Sequence, residues 1–442
     1  MINARDVALK VLKRVDEERA FAAAALAKEL TGLDDPRESG LAFELVHGVL
    51  RRRSWLDHLL SQVSDKGLKK IDPDVMRAMR IGVYQIAFLT RIPNAAAVSD
   101  TVRMVKRSRA PRLQGLANAL LRKIAKLPPS ALDPPADHNA PPRRLATRMG
   151  QPVWLYEKLI DAFGAEGALA IAAQYNSPAR RTLRVNTHRT RMTDIENAPG
   201  VIVPAPRLSP FSLDVTDVRK IPPLIDDGLA AYQDEAAQLA ILALRPAPDE
   251  RLLDACAGRG GKTAAMAMFT RNEADITAVD RAGSKLERLC FELEKQRLTA
   301  KTLTQDLTRG PGALSGERFD RILLDAPCSG SGTLGRRPEI RWRLTPSDVE
   351  SLAGIQSKLL DTVAPLVKPG GTLLFVTCSI FPEEGRDHLK SFLETHPGFV
   401  PVSTPPADWP EAVPWQEGVI LIDPAKTRTD GYQMLALRRR PE

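Results

Sequence analysis

Apolar residues change their spacing twice along this chain of 442 residues, and each change marks a different kind of structure. Over residues 3–126 they recur three or four positions apart, which predicts a series of amphipathic helices. Residues 127–142 hold six prolines, so no helix can run through them and a semi-rigid linker is predicted. From residue 236 to residue 442, short apolar runs alternate with helical segments.

The alternation after residue 235 is typical of a parallel sheet that is covered on both faces by helices. Residues 143–235 mix two patterns, a helix pair over 152–175 and short strands near 181–187 and 200–215. We therefore expect a multidomain protein with an all-α domain over 1–126, a small α+β domain over 143–235 and a Rossmann-like α/β domain over 236–442.

Positive charge is concentrated in the helical domain. The net charge is +9, and residues 1–130 contain 24 Lys and Arg against 14 Asp and Glu. The segment 103–126 contains no acid and carries Arg103, Lys106, Arg107, Arg109, Arg112, Arg122, Lys123 and Lys126. This excess favours a polyanionic partner, most simply nucleic acid, with a solvated basic helix face as the alternative. His47 and His58 lie on different predicted turns and are assigned to packing or surface positions.

The cysteines and the apolar runs indicate the compartment. The four cysteines are Cys256, Cys290, Cys328 and Cys378, and none forms a C-x-x-C pair. We therefore expect neither a zinc site nor a disulfide, and no bound metal. A monomer is expected, although no sequence pattern indicates the oligomeric state. No apolar run approaches the roughly 20 residues that span a bilayer, and the N-terminus does not resemble a secretion signal, which predicts a cytoplasmic protein.

Acidic residues close the predicted strands of the α/β domain, where ligands of such sheets bind. The residues at these ends are Asp254, Asp280, Asp306, Asp325 and Cys378. Four carboxylates along one sheet edge repel one another unless a ligand supplies donors. S-adenosylmethionine supplies hydroxyl, amino and ammonium groups, and Asp280, about 20 residues after a glycine-rich loop, suits its ribose hydroxyls.

The glycine-rich loop, DACAGRGGKT over 254–263, also approaches the pattern of a triphosphate-binding loop. Gly261, Lys262 and Thr263 fit that pattern, but Cys256 replaces its leading glycine. A nucleotide triphosphatase would leave Asp280 without a role, so we favour the methyl donor.

Two cysteines lie in polar loops at the same predicted edge, Cys328 in DAPCSGSGT and Cys378 in VTCSIFPEEG. A thiolate that adds to C6 of cytosine makes C5 nucleophilic enough to attack a methyl sulfonium, and an acid such as Asp325 assists at N3. Cys290, in the middle of a predicted helix, is assigned to packing.

The segment GRRPEIRWR between the two cysteine loops combines arginines with an aromatic residue. Arg336, Arg337, Arg341 and Arg343 with Trp342 favour RNA, through phosphate contacts and base stacking. An ordinary basic loop is the alternative.

These motifs carry a resemblance to a known family. ELVHGVLRRRSWLD, DAPCSGSGTLGRRPEIRWR and TCSIFPEEG resemble the bacterial 16S ribosomal RNA cytosine-C5 methyltransferases of the Sun/Fmu (RsmB) type, in which a NusB-like helical domain precedes the catalytic core. The resemblance covers nearly the whole chain. It implies that Cys378 is the nucleophile, that Cys328 assists product release and that Asp325 contacts N3. The implied S-adenosylmethionine site comprises Cys256, Ala257, Gly258, Arg259, Gly260, Gly261, Lys262, Asp280, Asp306 and Asp325.

Two departures from the family pattern and three alternatives stay open. Gly258 and Arg259 stand where the family has Ala-Pro, and DGYQ at 430–433 stands where it often has D-G-F-F. The substrate is alternatively transfer RNA or 23S ribosomal RNA, or Cys328 is alternatively the attacking thiol. The third alternative, from a different class, is a non-catalytic RNA-binding or antitermination factor.

Overall fold

The computed structural model describes residues 3–33 and 35–441, which form two compact units. The first unit comprises the chain through Pro178 together with Leu334–Arg343, and the second comprises Ala179–Thr333 and the chain from Leu344 onward. In these described ranges, no helix combines the length and the apolar character needed to cross a membrane.

The first unit is helical, as the apolar spacing predicts. Its helices are α1 (Ala4–Glu17), α2 (Ala22–Glu29), α3 (Pro36–Val63), α4 (Pro73–Phe88), α5 (Asn94–Lys106), α6 (Gln114–Ile124), α7 (Pro129–Leu132), α8 (Pro142–Arg148) and α9 (Val153–Asn176). Asp35 and Asp72 accept hydrogen bonds from backbone N–H groups in the first turns of α3 and α4, and each is followed by proline, which favours a helix start at these positions.

The proline-rich segment is fastened to the first unit. Residues 129–132 form the short helix α7, where no helix was predicted, and Trp55 Nε1 donates to the Leu132 carbonyl at 2.8 Å. The unit continues past this segment through α9, which bends at Gly164 (φ 71°) and so confirms the predicted helix pair. The helices α8 and α9 lie in the first unit, and the bounds 143–235 of the small domain stay a prediction.

The strands of that predicted domain lie in the second unit. They form an antiparallel sheet in the order β2-β3-β1-β4. Its elements are β1 (Thr182–Val185), α10 (Met192–Ile195), β2 (Val201–Ile202), β3 (Ser212–Val215), α11 (Pro222–Asp226) and β4 (Ala230–Tyr232).

The larger sheet of the second unit has the order β11-β12-β13-β9-β8-β5-β6-β7, with β10 paired to β13. Its elements are α12 (Glu235–Leu244), β5 (Arg251–Asp254), α13 (Gly261–Phe269), β6 (Asp275–Asp280), α14 (Gly283–Gln296), β7 (Lys301–Thr304), β8 (Phe319–Asp325), α15 (Pro346–Val363), β9 (Val367–Thr377), α16 (Asp387–Thr395), β10 (Phe399–Pro401), β11 (Trp415–Gln416), β12 (Val419–Ile422), α17 (Pro424–Thr427) and β13 (Tyr432–Arg439).

The expectation of a parallel sheet holds for half of this sheet and is wrong for the other half. Strands β9, β8, β5, β6 and β7 are parallel, whereas β10, β11, β12 and β13 pair in antiparallel fashion. In β8, Ile322, Leu323 and Leu324 have no exposed surface, which explains the unbroken apolar run in the sequence. The chain order reverses between β5 and β8, and ligands bind at such a switch point.

Candidate active site

The loop between β5 and α13 adopts backbone conformations that favour glycine. Gly258 has φ 57° and Gly260, the residue before α13, has φ 83°. A Cβ atom on Gly260 would lie 2.5 Å from Leu289 Cγ, so this position has no room for a side chain. Glycine therefore suits position 258, where the family has alanine, while the side chain of Arg259 is exposed.

Asp280 at the end of β6 shapes this loop. Its Oδ2 accepts from the Gly258 N–H at 3.0 Å and from Lys285 Nζ at 3.4 Å, and its Oδ1 accepts from the Ala282 N–H at 2.9 Å. The carboxylate is 7% exposed, so it is placed beside the loop as the sequence predicts.

Asp254, at the end of β5, is a buried carboxyl group. Its Oδ2 accepts from Thr263 Oγ1 at 2.7 Å, and its Oδ1 has no hydrogen-bond partner among the described residues. Burial raises the pKa of Asp254 to about 7, against the opposing effect of the Thr263 hydrogen bond. An unpartnered buried oxygen next to a glycine loop indicates a place for a ligand donor.

Lys262 and Asp325 form an ion pair within the site. Lys262 Nζ donates to Asp325 Oδ2 at 2.6 Å and lies 5.2 Å from the centre of the Tyr432 ring. Burial lowers the pKa of Lys262, but the charge and hydrogen bond of Asp325 outweigh it, so the pKa is raised and the ammonium is retained. The pair brings a proton donor and a carboxylate together where the sequence predicts an N3 contact.

The two predicted cysteines meet at this edge. Cys328 follows β8 and Cys378 follows β9, and their Sγ atoms are 3.0 Å apart with both thiols free. The contact with Cys378 and burial both raise the pKa of the Cys328 thiol. Cys328 is therefore suited to hold a proton rather than to attack as a thiolate.

The other two cysteines have different surroundings. Burial, reinforced by the negative charge of Asp254, raises the pKa of the Cys256 thiol, which keeps it protonated. Cys290 is exposed on α14, so its assignment to packing is wrong. Its place in a helix was predictable, but which helix face meets the core was not.

Asp306 lies two residues beyond the end of β7, not at the end of the strand. Its Oδ1 accepts from the N–H and the hydroxyl of Thr308, at 3.0 and 2.7 Å, and these bonds lower the pKa of Asp306. The carboxylate therefore caps a turn, and its role toward a cofactor stays a prediction.

The arginine-rich segment packs into the first unit. Arg341 has no exposed surface and donates to the backbone carbonyls of Arg51 at 3.1 Å and Tyr175 at 3.4 Å. Arg343 donates to the carbonyls of Arg19 and Ala20. The prediction of an RNA contact is therefore wrong for Arg341, because its guanidinium is enclosed by protein. Arg337 is exposed, as that prediction requires.

Sequence reasoning missed Arg184 as a support of the cofactor loop. Arg184 is 2% exposed and donates to the Gly261 carbonyl at 2.7 Å, to Gln233 Oε1 at 3.0 Å and to Gln296 Oε1 at 2.8 Å. Burial lowers the pKa of Arg184 to about 10. An arginine inside the short apolar strand LRV was the available signal, since a charge at a core position requires dedicated partners.

Gln433, the last residue of the DGYQ segment, packs beneath the loop that follows Cys378 and is hydrogen-bonded to it. Gln433 is 2% exposed, its Nε2 donates to the Phe381 carbonyl at 2.6 Å, and its Oε1 accepts from the Arg386 N–H at 3.2 Å. A phenylalanine in its place would lack both hydrogen bonds, so this chain orders the loop with an amide.

Three family models match the chain. The 16S rRNA methyltransferase RsmB/F model matches residues 241–438, the NusB family model matches residues 2–126, and the RsmF/B-like ferredoxin-like domain model matches residues 151–198.

Individual relatives match over most of the chain. The probable ribosomal RNA small subunit methyltransferase B of Bacillus subtilis is 32% identical over 99% of this chain and 98% of its own length. The ribosomal RNA small subunit methyltransferase B of Vibrio cholerae is 36% identical over 84% of this chain and 85% of its own. The crystal structure of PH0851 shares the fold, with a TM-score of 0.80 and 24% identity over 99% of both chains.

The switch-point glycine loop, the Lys262–Asp325 pair and these matches define a ribosomal RNA methyltransferase with a helical NusB domain. The chain belongs to the 16S rRNA methyltransferase RsmB/F family. The resemblance drawn from the motifs is thereby confirmed, as are the helical, small α+β and Rossmann-like parts of the fold.

Proposed function

We propose that the protein transfers a methyl group from S-adenosylmethionine to C5 of a cytosine in 16S ribosomal RNA through a covalent cysteine intermediate. The observation that carries this proposal is the 3.0 Å separation of Cys328 Sγ and Cys378 Sγ at the sheet edge beside the Lys262–Asp325 pair. A reaction in which one thiol attacks the base and a second thiol transfers a proton requires such a pair.

The loop Cys256–Lys262 fits the methyl donor. The open side of Gly258 leaves space for a close approach, and the Oδ1 atom of Asp254 has no donor among the described residues. When bound, S-adenosylmethionine supplies the methyl group as an electrophile. Asp280 is assigned to the ribose hydroxyls, and Asp306 stays a candidate contact.

The chain's own residues perform the remaining steps. Cys378 gives up its thiol proton as its Sγ forms a bond to C6, and the displaced π electrons are taken up at N3, which receives a proton through Asp325 from Lys262. C5 is then an enamine carbon that takes the methyl, and the N3 proton returns to the Lys262–Asp325 pair. Loss of the C5 proton to a base then returns the electrons, breaks the bond from Cys378 Sγ to C6 and restores the aromatic ring. We assign Cys328 to this release step: its thiol gives its proton to the departing Cys378 sulfur 3.0 Å away, and the Cys328 thiolate that results is the base that takes the C5 proton.

Separate substitution of the two cysteines tests the assignment. With RNA and S-adenosylmethionine, Cys378→Ala is expected to form no covalent RNA adduct, and Cys328→Ala is expected to accumulate one that is released slowly, both scored as a mobility shift in denaturing gels. The reverse pattern would make Cys328 the attacking thiol. Absence of any adduct from wild type and both variants would reject the covalent mechanism.

The proposal of 16S ribosomal RNA as the substrate is supported by the family and by arginines that are candidate RNA contacts. Arg336 and Arg337 remain candidate contacts to RNA phosphate. Arg343 can offer RNA only those N–H groups that do not donate to backbone carbonyls. A cytoplasmic monomer is proposed. Bisulfite sequencing of total RNA with and without the gene is expected to show the loss of one 5-methylcytosine in 16S ribosomal RNA. A loss confined to transfer RNA or 23S ribosomal RNA would reassign the substrate.

A further inference from the structure

Glu384 is a buried carboxylate to which the mechanism above gives no role. It ends a short helical turn, Pro382–Glu384, that follows the Cys378 loop, and it has no exposed surface. An ionised side chain in such a position is costly unless several donors surround it. The donors that surround Glu384 come from both cysteine loops.

One set of donors fixes the loop of Cys328. The Ser329 N–H donates to Glu384 Oε1 at 2.7 Å, and the Ser329 hydroxyl donates to Glu384 Oε2. Gln356 Nε2 donates both to Glu384 Oε1 at 3.2 Å and to the Pro327 carbonyl at 2.9 Å. The residues on both sides of Cys328 are therefore held by the Glu384–Gln356 pair.

A second set fixes the loop of Cys378. Ser379 Oγ donates to Glu384 Oε2 at 2.6 Å, and Thr377 Oγ1 donates to the Glu384 carbonyl at 2.7 Å. These two residues flank Cys378 in the sequence, so Glu384 holds both cysteine loops from one point.

The charge of Glu384 is needed for this arrangement. Ser379 Oγ accepts from the Phe381 N–H at 3.1 Å, is 2.8 Å from Ser331 Oγ, and donates its single hydrogen to the carboxylate. Oε1 faces the N–H donors of Ser329 and Gln356, whereas Oε2 faces the hydroxyls of Ser329 and Ser379. An amide nitrogen in place of Oε2 could not accept from these hydroxyls, so Glu384→Gln loses the two charge-assisted hydrogen bonds there.

We propose that Glu384 is a positioning residue that clamps the two cysteine loops together, so that the Sγ atoms of Cys328 and Cys378 stay within contact of each other. The expected effect of Glu384 on turnover rests on the proposed function. The structural part of the proposal requires only that the two Sγ atoms lose their fixed separation when the hydrogen bonds of Glu384 are weakened.

A trivalent arsenical, phenylarsine oxide, measures that spacing because it binds tightly only where two thiols bridge it. We expect full-length wild type to bind it, Cys378→Ala to lose binding, and Glu384→Gln to bind at least about tenfold more weakly as the two thiols cease to act together. The matched control is Asp387→Asn, which removes one negative charge three residues away at an exposed position and is expected to bind like wild type. Equal affinity of folded Glu384→Gln and wild type would overturn the clamp.

Turnover provides the second measurement. Glu384→Gln is expected to lower kcat on the order of 100-fold with the dissociation constant for S-adenosylmethionine unchanged, and Glu384→Asp, which keeps the charge, to restore part of the rate. If Glu384→Gln fails to fold, Ser379→Ala removes one clamp bond in its place, and it must weaken arsenical binding for the proposal to stand. A wild type that forms no RNA adduct would reject the proposed function, and the arsenical affinities would still decide the clamp.

Discussion

At the scale of single residues, the aspartates that follow the strands differ in pKa because their surroundings differ. Burial favours the neutral form of Asp254 and raises its pKa to about 7, against the one hydrogen bond that its Oδ2 receives from Thr263. Asp306 receives two hydrogen bonds from Thr308 and its pKa is lowered. Residues of one type that looked equivalent in the sequence therefore differ in charge, and only the partner atoms decide which is which.

The raised pKa of Asp254 predicts a pH dependence of stability. The folded protein binds a proton at Asp254 more tightly than the unfolded chain, whose value is near 3.8. This contribution to stability is complete below about pH 4 and is lost as the pH rises through about 7. In urea unfolding, we expect the stability of Asp254→Asn to gain on that of wild type between pH 5 and pH 8. The exposed control Asp387→Asn should keep a constant offset, and parallel pH profiles for Asp254→Asn and wild type would contradict the prediction.

At the scale of elements, the turn from β5 into α13 depends on Gly260. Alanine at this position requires a left-handed backbone and places Cβ against Leu289, so Gly260→Ala should lower the free energy of unfolding by about 1–3 kcal/mol and weaken S-adenosylmethionine binding. Thermal unfolding and calorimetric titration measure the two effects.

Gly354 in α15 is the matched control for this substitution. A Cβ atom there meets no heavy atom within 4 Å, so Gly354→Ala should leave cofactor binding unchanged and stabilise the protein by about 0.5–1 kcal/mol. Equal effects of the two substitutions would show that the left-handed conformation of Gly260 is not required.

The elements that the sequence predicted are those with strong local signals. Helices of the first unit and the parallel strands β5, β6 and β8 carry periodic or unbroken apolar patterns. The antiparallel strands β10–β13 are short, apart from β13, and their pairing joins residues that local patterns do not relate, so the mixed sheet was missed. The cysteine pair was predicted because both residues follow strands. Glu384 was not, because the burial of a glutamate in PEEG depends on donors from distant loops.

At the scale of the whole molecule, a segment of the catalytic sequence completes the helical unit. Leu334–Arg343 follows the Cys328 loop in the chain, yet it belongs to the first compact unit. Trp342 Nε1 donates to the Leu50 carbonyl at 2.8 Å, and Glu339, 1% exposed, accepts from the Ala22 N–H at 3.1 Å. The boundary of the helical unit therefore cannot be found by cutting the chain once.

Within this segment, burial separates arginines that support the fold from those available to RNA. Removal of the Arg341 side chain leaves a cavity and takes a donor from each of the buried carbonyls of Arg51 and Tyr175, so Arg341→Ala should destabilise the first unit by about 2–4 kcal/mol. Arg337→Ala should change stability by less than about 0.5 kcal/mol, since that side chain is exposed, while it weakens RNA binding and reduces its salt dependence. Amide hydrogen exchange in α3 reports the first effect, and fluorescence anisotropy with ribosomal RNA fragments at two salt concentrations reports the second. If Arg337→Ala loses stability while Arg341→Ala loses only RNA affinity, the division of this segment into supporting and RNA-facing arginines is wrong.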